Sequence, residues 1–415
     1  MRVAVAGAGA FGRNHLRVLR ELETERAGVA LVAAVDPDAA RADEAAKLYA
    51  IPVFASVETL LKADLKLDAA RVAVPTVKHH EVARELLDAG LDLLIEKPLA
   101  ASLAEADDLI QCAEKNGRIV QPGHLERFNP AVMAVEPSLT RPMFFEAHRL
   151  SVFTPRALDV DVVLDLMIHD LDIVLTFAKS PVREVRAVGL PILSPKVDIA
   201  NVRVEFESGC VANFTASRVS TERVRKLRFF EPRQYVSIDY ARRDVLVIRI
   251  DPPTPPAVGQ TLGQGPSSDE VVAQAAAKFL ATGKLDASVI QGLLASGKIP
   301  AGLLMKIAAA KNDPEKLKEI AKGLAGAHAE SHAETHDGPA PGLSPTPGLS
   351  FVKPEVSPGE PLKLEILSFL ESVRTRREPR VTARQGRAAL ELALTIQAQM
   401  AAHAERAGLG DFFKN

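Results

Sequence analysis

Residues 3–12 read VAVAGAGAFG, and this stretch restricts the fold more than any other. An apolar β-run over 3–6 enters Gly7, Gly9 and Gly12, spaced G-x-G-x-x-G. An amphipathic helix through Leu16, Leu19 and Leu22 follows. A second β-run, 30–35, ends in an acid, Asp36. Glycines between a strand and a helix, with an acid closing the next strand, form the fingerprint of a dinucleotide site. Gly7 permits the tight turn. Gly9 lets backbone approach a pyrophosphate, with Ala10 and Phe11 at the helix N-terminus that stabilises it. Gly12 allows close helix–strand packing. Asp36 can accept hydrogen bonds from ribose hydroxyls and would repel a 2′-phosphate, which favours NAD over NADP. Pro37, not an arginine, follows it.

The same rhythm continues. Strands are expected at 71–74, 91–95 and 118–120 with helices between, which predicts a parallel, doubly wound sheet in a domain spanning 1–125. In such sheets ligands bind at the carboxyl ends of strands. Pro75 and Thr76 end the third clear strand, and His79 and His80 come next. Pro75, Thr76 and His79 are candidates for the nicotinamide side of the cofactor; a helix start with surface histidines is the plain alternative. LDLLIEKP, 91–98, drives a hydrophobic strand into Glu96, Lys97 and Pro98. A strand that only filled a core would end in a turn residue. This one delivers a lysine to the edge that carries the glycine loop, where it can reach a reacting carbon. Glu96 and Lys97 therefore join the cofactor-side candidates.

Bulk properties exclude several classes. Lys and Arg number 51 against 53 Asp and Glu, for a net charge of −2. There is no basic excess to hold a nucleic-acid backbone. No apolar run approaches the roughly 18 residues of a membrane span. The two cysteines, Cys112 and Cys210, lie far apart without metal-ligand spacing. A cytoplasmic protein with no nucleic-acid or membrane partner is expected, and no bound metal.

After residue 140 paired β-runs replace the α/β rhythm. They are expected at 143–152, at 201–206 and 210–217 around a Ser208-Gly209 turn, at 224–230 with 234–239, and at 245–250. This predicts an α+β domain, 126–251 with 361–405, built on an open, mainly antiparallel sheet. Prolines and glycines then introduce an inserted module, 252–360, with helices expected at 269–282, 286–295, 301–311 and 314–330 between flexible linkers. His328, His332 and His336 are spaced four apart in it; a solvated, fraying helix end is the plain reading and a metal stripe the sharp one.

VVLDLMIHDLD, 162–172, places Asp165 and His169 four apart on one helix face, with Asp170 and Asp172 pointing elsewhere. With the strand-end lysine they make a candidate site for removing a hydroxyl proton beside nicotinamide. AGAGAFGRNH (6–15), VDPD (35–38), VPTVKHH (74–80), EKPLA (96–100), GHLERFNPAV (123–132), DLMIHDLD (165–172) and the segment 364–394 together resemble the glucose–fructose oxidoreductase/inositol dehydrogenase (Gfo/Idh/MocA) family. The resemblance implies a Rossmann domain and a second domain whose sheet carries the substrate site on one side and a homo-oligomer interface, dimeric or tetrameric, on the other. It implies that His169 transfers the proton, Lys97 polarises the hydroxyl and Asp165 orients them. A charged Lys97 would also hold His169 neutral.

GHLERFNPAV and DLMIHDLD are similar to family members acting on UDP-N-acetylhexosamines, including UDP-N-acetylglucosamine 3-dehydrogenases. Their 3-keto products lead, after transamination, to diamino sugars of lipid A and other surface glycans. His124, Arg127 and Asn129 are on this reading substrate-side candidates. Arg127 suits a phosphate or carboxylate and Asn129 a sugar hydroxyl; a packing arm between domains is the alternative. Arg149 and Arg156 are further cations for a diphosphate. A dehydrogenase of free sugars, polyols or inositols, and a cofactor-binding regulator without turnover, remain as the other two readings.

Overall fold

The computed structural model describes residues 1–154, 160–251 and 348–409. Met1–Val247 with Val352–Asn415 form one unit and Ile248–Phe351 another. The expected helices between 269 and 330, the triple-histidine stripe and Arg156 lie outside the described residues.

β1 (Arg2–Ala6) is buried along four of its five residues and lies between two parallel partners, β2 (Ala30–Val35) and β4 (Ala69–Val72). With β3 (Val53–Phe54), β5 (Asp92–Glu96) and β6 (Val120–Gly123) it gives a six-stranded sheet of order β3-β2-β1-β4-β5-β6. This is the doubly wound parallel sheet expected from the alternation. Helices α1 (Ala10–Thr24), α2 (Ala39–Tyr49), α3 (Val57–Lys62), α4 (His79–Asp88) and α5 (Leu103–Lys115) connect the strands. Asp38, Ser56 and Ser102 cap three of them by accepting backbone N–H bonds. The strand anticipated at 71–74 ends two residues earlier, so Ala73, Val74 and Pro75 already form the loop rim.

The second sheet has order β14-β13-β12-β11-β7-β10-β9-β8. Its strands are β7 (Phe144–Leu150), β8 (Val182–Leu190), β9 (Ile199–Phe206), β10 (Val211–Ser217), β11 (Val224–Glu231), β12 (Gln234–Asp239), β13 (Asp244–Asp251) and β14 (Gly348–Val352). The β9–β10 hairpin turns at Ser208-Gly209, where Gly209 has φ +82°. β7 and β10 pair in parallel, so the sheet is mainly rather than wholly antiparallel. Two strands of this sheet escaped the sequence reading, as did β3 in the first sheet. β8 is an edge strand whose VREVRAVGL carries charges at Arg183, Glu184 and Arg186 and buries little. β14 lies within residues read as linker.

α6 (Pro130–Val135) and α7 (Ile168–Ala178), the latter preceded by π-helical turns over Val163–Met167, contribute to the core on one face of this sheet. Phe229 packs against Phe145 at a tilt and against Phe177 edge-on in that layer. The C-terminal helices, α8 (Pro361–Thr375) and α9 (Ala383–Arg406), divide between the two cores. Ile366, Phe369 and Leu370 of α8 join the cluster of Leu16, Leu19 and Leu22, on the nucleotide side. Ala393, Ile396 and Met400 of α9 join the cluster on the second sheet. The segment expected to belong to the second domain thus laces both halves together.

Candidate active site

The glycine loop is fixed by contacts that leave no room for a side chain. At Gly7 (φ +98°) a Cβ would lie 2.5 Å from the carbonyl oxygen of Ala73, and at Gly12 it would lie 1.8 Å from that of Gly7. At Gly9, the N-cap of α1, a Cβ would meet nothing within 4 Å. Backbone there is open to a ligand. Gly7, Gly9, Ala10, Phe11, Asp36 and Pro75 line a cavity of about 580 Å³. Its size and glycine rim fit a dinucleotide. Asp36, 4% exposed, accepts from the Ala8 N–H (2.8 Å) and the Asp38 N–H (3.0 Å). Arg41 also pairs with it at 3.1 Å. The arginine not found at position 37 thus arrives one helical turn later, because Asp38 caps α2 and presents Arg41 toward Asp36. Ser56, Val57 and Val82 complete the wall; no motif marks them in the sequence.

Thr76 opens a single 3-10 turn into α4 and is absent from the groove lining. His79 is buried, with Nδ1 2.8 Å from the carbonyl of Pro98 and Nε2 2.9 Å from that of Val74. Burial lowers its pKa, so a neutral ring donates one of these bonds. These contacts clamp two strand ends together and leave no ring nitrogen facing a cofactor. His80 contacts Asp108 at 2.7 Å.

Lys97 leaves β5 on a cis bond to Pro98. Its Nζ donates to the carbonyls of Asp165 (2.6 Å) and Leu164 (3.3 Å) and stands 3.8 Å from the Asp165 carboxylate. The π-helical turns that expose these carbonyls are where the lysine docks. An ammonium has three N–H donors, and the carbonyls take two. His169 lies in the first turn of the regular helix beyond. Burial, then the charges of Lys97 and Arg149, drive its pKa well below the usual value, and its Nδ1 has no protein partner among the described residues. Desolvation likewise lowers the pKa of Lys97.

The other substrate-side candidates sit deeper. Arg127, 3% exposed, hydrogen-bonds Thr176 and lies 3.6 Å from Asp172. Asn129 caps α6, with Oδ1 accepting from Ala131 N–H and Nδ2 donating to Glu126 and the Tyr240 carbonyl. His124 is buried 3.9 Å from Asp172. The contacts of Arg127 and Asn129 are those of a packing arm, whereas neither ring nitrogen of His124 has a hydrogen-bond partner among the described residues. Arg149, read as a diphosphate cation, is held instead by both oxygens of Asp170 (2.7 and 2.9 Å) and by Glu126 (3.0 Å), under the ring of Tyr240. Its fork is filled by protein carboxylates.

Two family models match. Residues 1–124 match "Oxidoreductase family, NAD-binding Rossmann fold", and residues 132–232 match "GFO/IDH/MocA C-terminal domain". The chain belongs to the GFO/IDH/MocA oxidoreductase family. Among relatives, UDP-N-acetylglucosamine 3-dehydrogenase of Acidithiobacillus ferrooxidans is 38% identical over 241 residues, covering 58% of this chain and 74% of that one. Its solved structure superposes with TM-score 0.70 at 25% identity over 100% and 99% of the two chains. The scyllo-inositol 2-dehydrogenase (NAD(+)) of Bacillus subtilis is 27% identical over 235 residues, 53% of this chain and 68% of its own.

This member of the GFO/IDH/MocA family therefore has an NAD-binding Rossmann domain, and its relatives are dehydrogenases. One feature behind the strand end left no motif. Arg71, buried in β4, meets His15 Nδ1 at 2.6 Å and Glu365 of α8 at 3.5 Å, and His15 Nε2 meets Glu96 at 2.7 Å. His15 and Arg71 hold the Glu96 carboxyl down at about 2 against its burial, while burial pushes Glu365 up to about 8. A buried arginine in an apolar strand is the signal a reader of the sequence could have followed. No described helix is long and apolar enough to cross a membrane.

Proposed function

We propose that the chain is an NAD-dependent dehydrogenase of a nucleotide sugar, oxidising the C3 hydroxyl of a UDP-N-acetylhexosamine. The observation that carries this reading is the 38% identity to UDP-N-acetylglucosamine 3-dehydrogenase across both halves of the fold. Gly7, Gly9, Ala10, Phe11, Asp36 and Pro75 would hold the cofactor, which when bound accepts the hydride leaving the sugar carbon. Lys97 uses its third N–H to polarise the hydroxyl. His169, kept neutral by burial and by Lys97, accepts the hydroxyl proton. Asp165 sets the lysine through its carbonyl and carboxylate. Arg127 and Asn129 form the packing arm that holds α7 in register with the second sheet. The residue ranges 1–125, and 126–251 with 361–405, are then the cofactor and substrate domains.

The product is a 3-keto sugar that an aminotransferase would consume, which suits diamino-sugar synthesis for lipid A or other surface glycans. A cytoplasmic homo-oligomer joined through the outer sheet face, where Phe144, Phe230 and Tyr235 form an aromatic row, goes with this role. The inositol dehydrogenase relatives favour a second reading, oxidation of a free cyclic polyol.

The test is NADH absorbance with purified protein, NAD and a panel of UDP-N-acetylglucosamine, UDP-N-acetylglucosaminuronate, UDP-glucose, glucose and myo-inositol. A coupled aminotransferase with glutamate draws off the keto product. NADH formed with a UDP-N-acetylhexosamine alone is the expected result. NADH formed only with a free sugar or polyol moves the enzyme to the second reading.

A further inference from the structure

The face of the second sheet that packs against α7 carries a cation that the mechanism above does not use. Arg225 on β11 lies directly opposite Arg149 on β7 in the antiparallel register. Opposed residues project to the same side of a sheet, so Arg225 shares the face on which Arg149 meets α7. Arg149 consumes the carboxylates nearby, taking both Asp170 oxygens and one of Glu126. The other Glu126 oxygen receives Asn129. Among the described residues no carboxylate is within ion-pair distance of Arg225, and its side chain is open to solvent.

Backbone holds the residue in place: the Arg225 carbonyl accepts from Tyr240 N–H at 3.0 Å. Its charge acts on His169, and Arg223 adds a second cation just before the strand. Partial desolvation lowers the pKa of Arg225, with Arg149 contributing in the same direction. Two arginines facing each other repel, and Glu126 and Asp170, which attract Arg225 from a distance, already hydrogen-bond Arg149 and Asn129, so the second guanidinium fork is left for an arriving anion.

We propose that Arg225 is a specificity residue that binds the anionic, phosphate-bearing part of the substrate while its sugar ring reaches Lys97 and His169. This rests on the nucleotide-sugar reading and extends it by saying where the diphosphate lies. A guanidinium fork matches phosphate oxygens in paired geometry, which a lysine matches poorly.

The test combines kinetics and binding in Arg225→Ala and Arg225→Lys. With UDP-N-acetylglucosamine, Arg225→Ala is expected to raise KM by about tenfold to 100-fold, the range of a lost hydrogen bond to a charged group. Turnover at saturation should change little, NADH affinity should hold, and Arg225→Lys should recover part of the loss. Calorimetric titration of the NADH-loaded protein with UDP should show the same loss in Arg225→Ala. If the wild type oxidises UDP-N-acetylglucosamine and Arg225→Ala does so with unchanged KM and UDP affinity, the inference is overturned and the function stands. If no UDP-sugar is oxidised but UDP binds through Arg225, the function falls and only the phosphate-binding role of Arg225 stands. A wild type that does not bind UDP overturns the inference.

Discussion

Lys97 is set by three neighbours of different kinds: two carbonyls of the π-helical turns, the Asp165 carboxylate at 3.8 Å, and a desolvating wall. Its charge does two jobs in the proposed mechanism, polarising a hydroxyl and depressing the His169 pKa. These separate experimentally. Lys97→Ala should cut turnover by about 100-fold or more, as expected for loss of a positioned proton-transfer partner, with NADH affinity intact. The same change removes the main charge acting on His169, so the acid limb of kcat/KM should move to higher pH. In the wild type that limb belongs below 6.5, because the histidine stays neutral there. Near-normal turnover in Lys97→Ala would remove the lysine from the site.

At the scale of elements, α8 is tied to β4 through a pair buried from water on both sides. Arg71 and Glu365 are each 1% exposed and 3.5 Å apart. Burial raises the Glu365 carboxyl to about 8 even with the guanidinium present. A neutral amide is therefore a close substitute for it, whereas a leucine strands a buried cation. Glu365→Leu should lower unfolding free energy by about 1–3 kcal/mol, the cost of a buried donor left without its partner, and Glu365→Gln by clearly less, measured by urea denaturation. Equal losses would show that the carboxylate charge, and not hydrogen-bonding capacity, matters at α8. Beyond stability, the chain from Glu365 through Arg71 and His15 to Glu96 fixes the residue next to Lys97 from behind.

For the whole molecule, three buried histidines and the half-buried His169 dominate the response to acid. His15, His79, His124 and His169 all have pKa values below 6.5, each chiefly from burial. The unfolded chain takes up protons near 6.5 that the folded one refuses, so stability is full above that pH and is lost as pH falls toward the depressed values. Each site can contribute at most about 1.4 kcal/mol per pH unit. Glu365 opposes them: its raised pKa means that stability is lost as pH rises toward about 8. Glu96, held at about 2, acts only at lower pH. The net expectation is a urea midpoint that drops between pH 7 and pH 5, which denaturation in a buffer series reads directly. A flat or rising midpoint would mean that those rings charge without cost.

The sequence by itself determined the nucleotide half. Gly7, Gly9 and Gly12 act within one turn, Asp36 within one strand–helix–strand unit, and the strand that ends in Lys97 is an apolar run of local origin. The hairpins of the second sheet were legible too, since a turn and alternating side chains are short-range signals. Tertiary structure decided what depends on distant partners. It showed β8 as a strand, because an edge strand buries too little to carry a pattern. It placed Arg41 on Asp36, joined Arg71 to Glu365, gave Arg149 to Asp170, and set Arg225 opposite Arg149 on the same sheet face. Arginines are long and charged and look alike in a sequence. Which of them is neutralised by a buried carboxylate and which is left for a ligand depends on the strand register and on which helix packs above it.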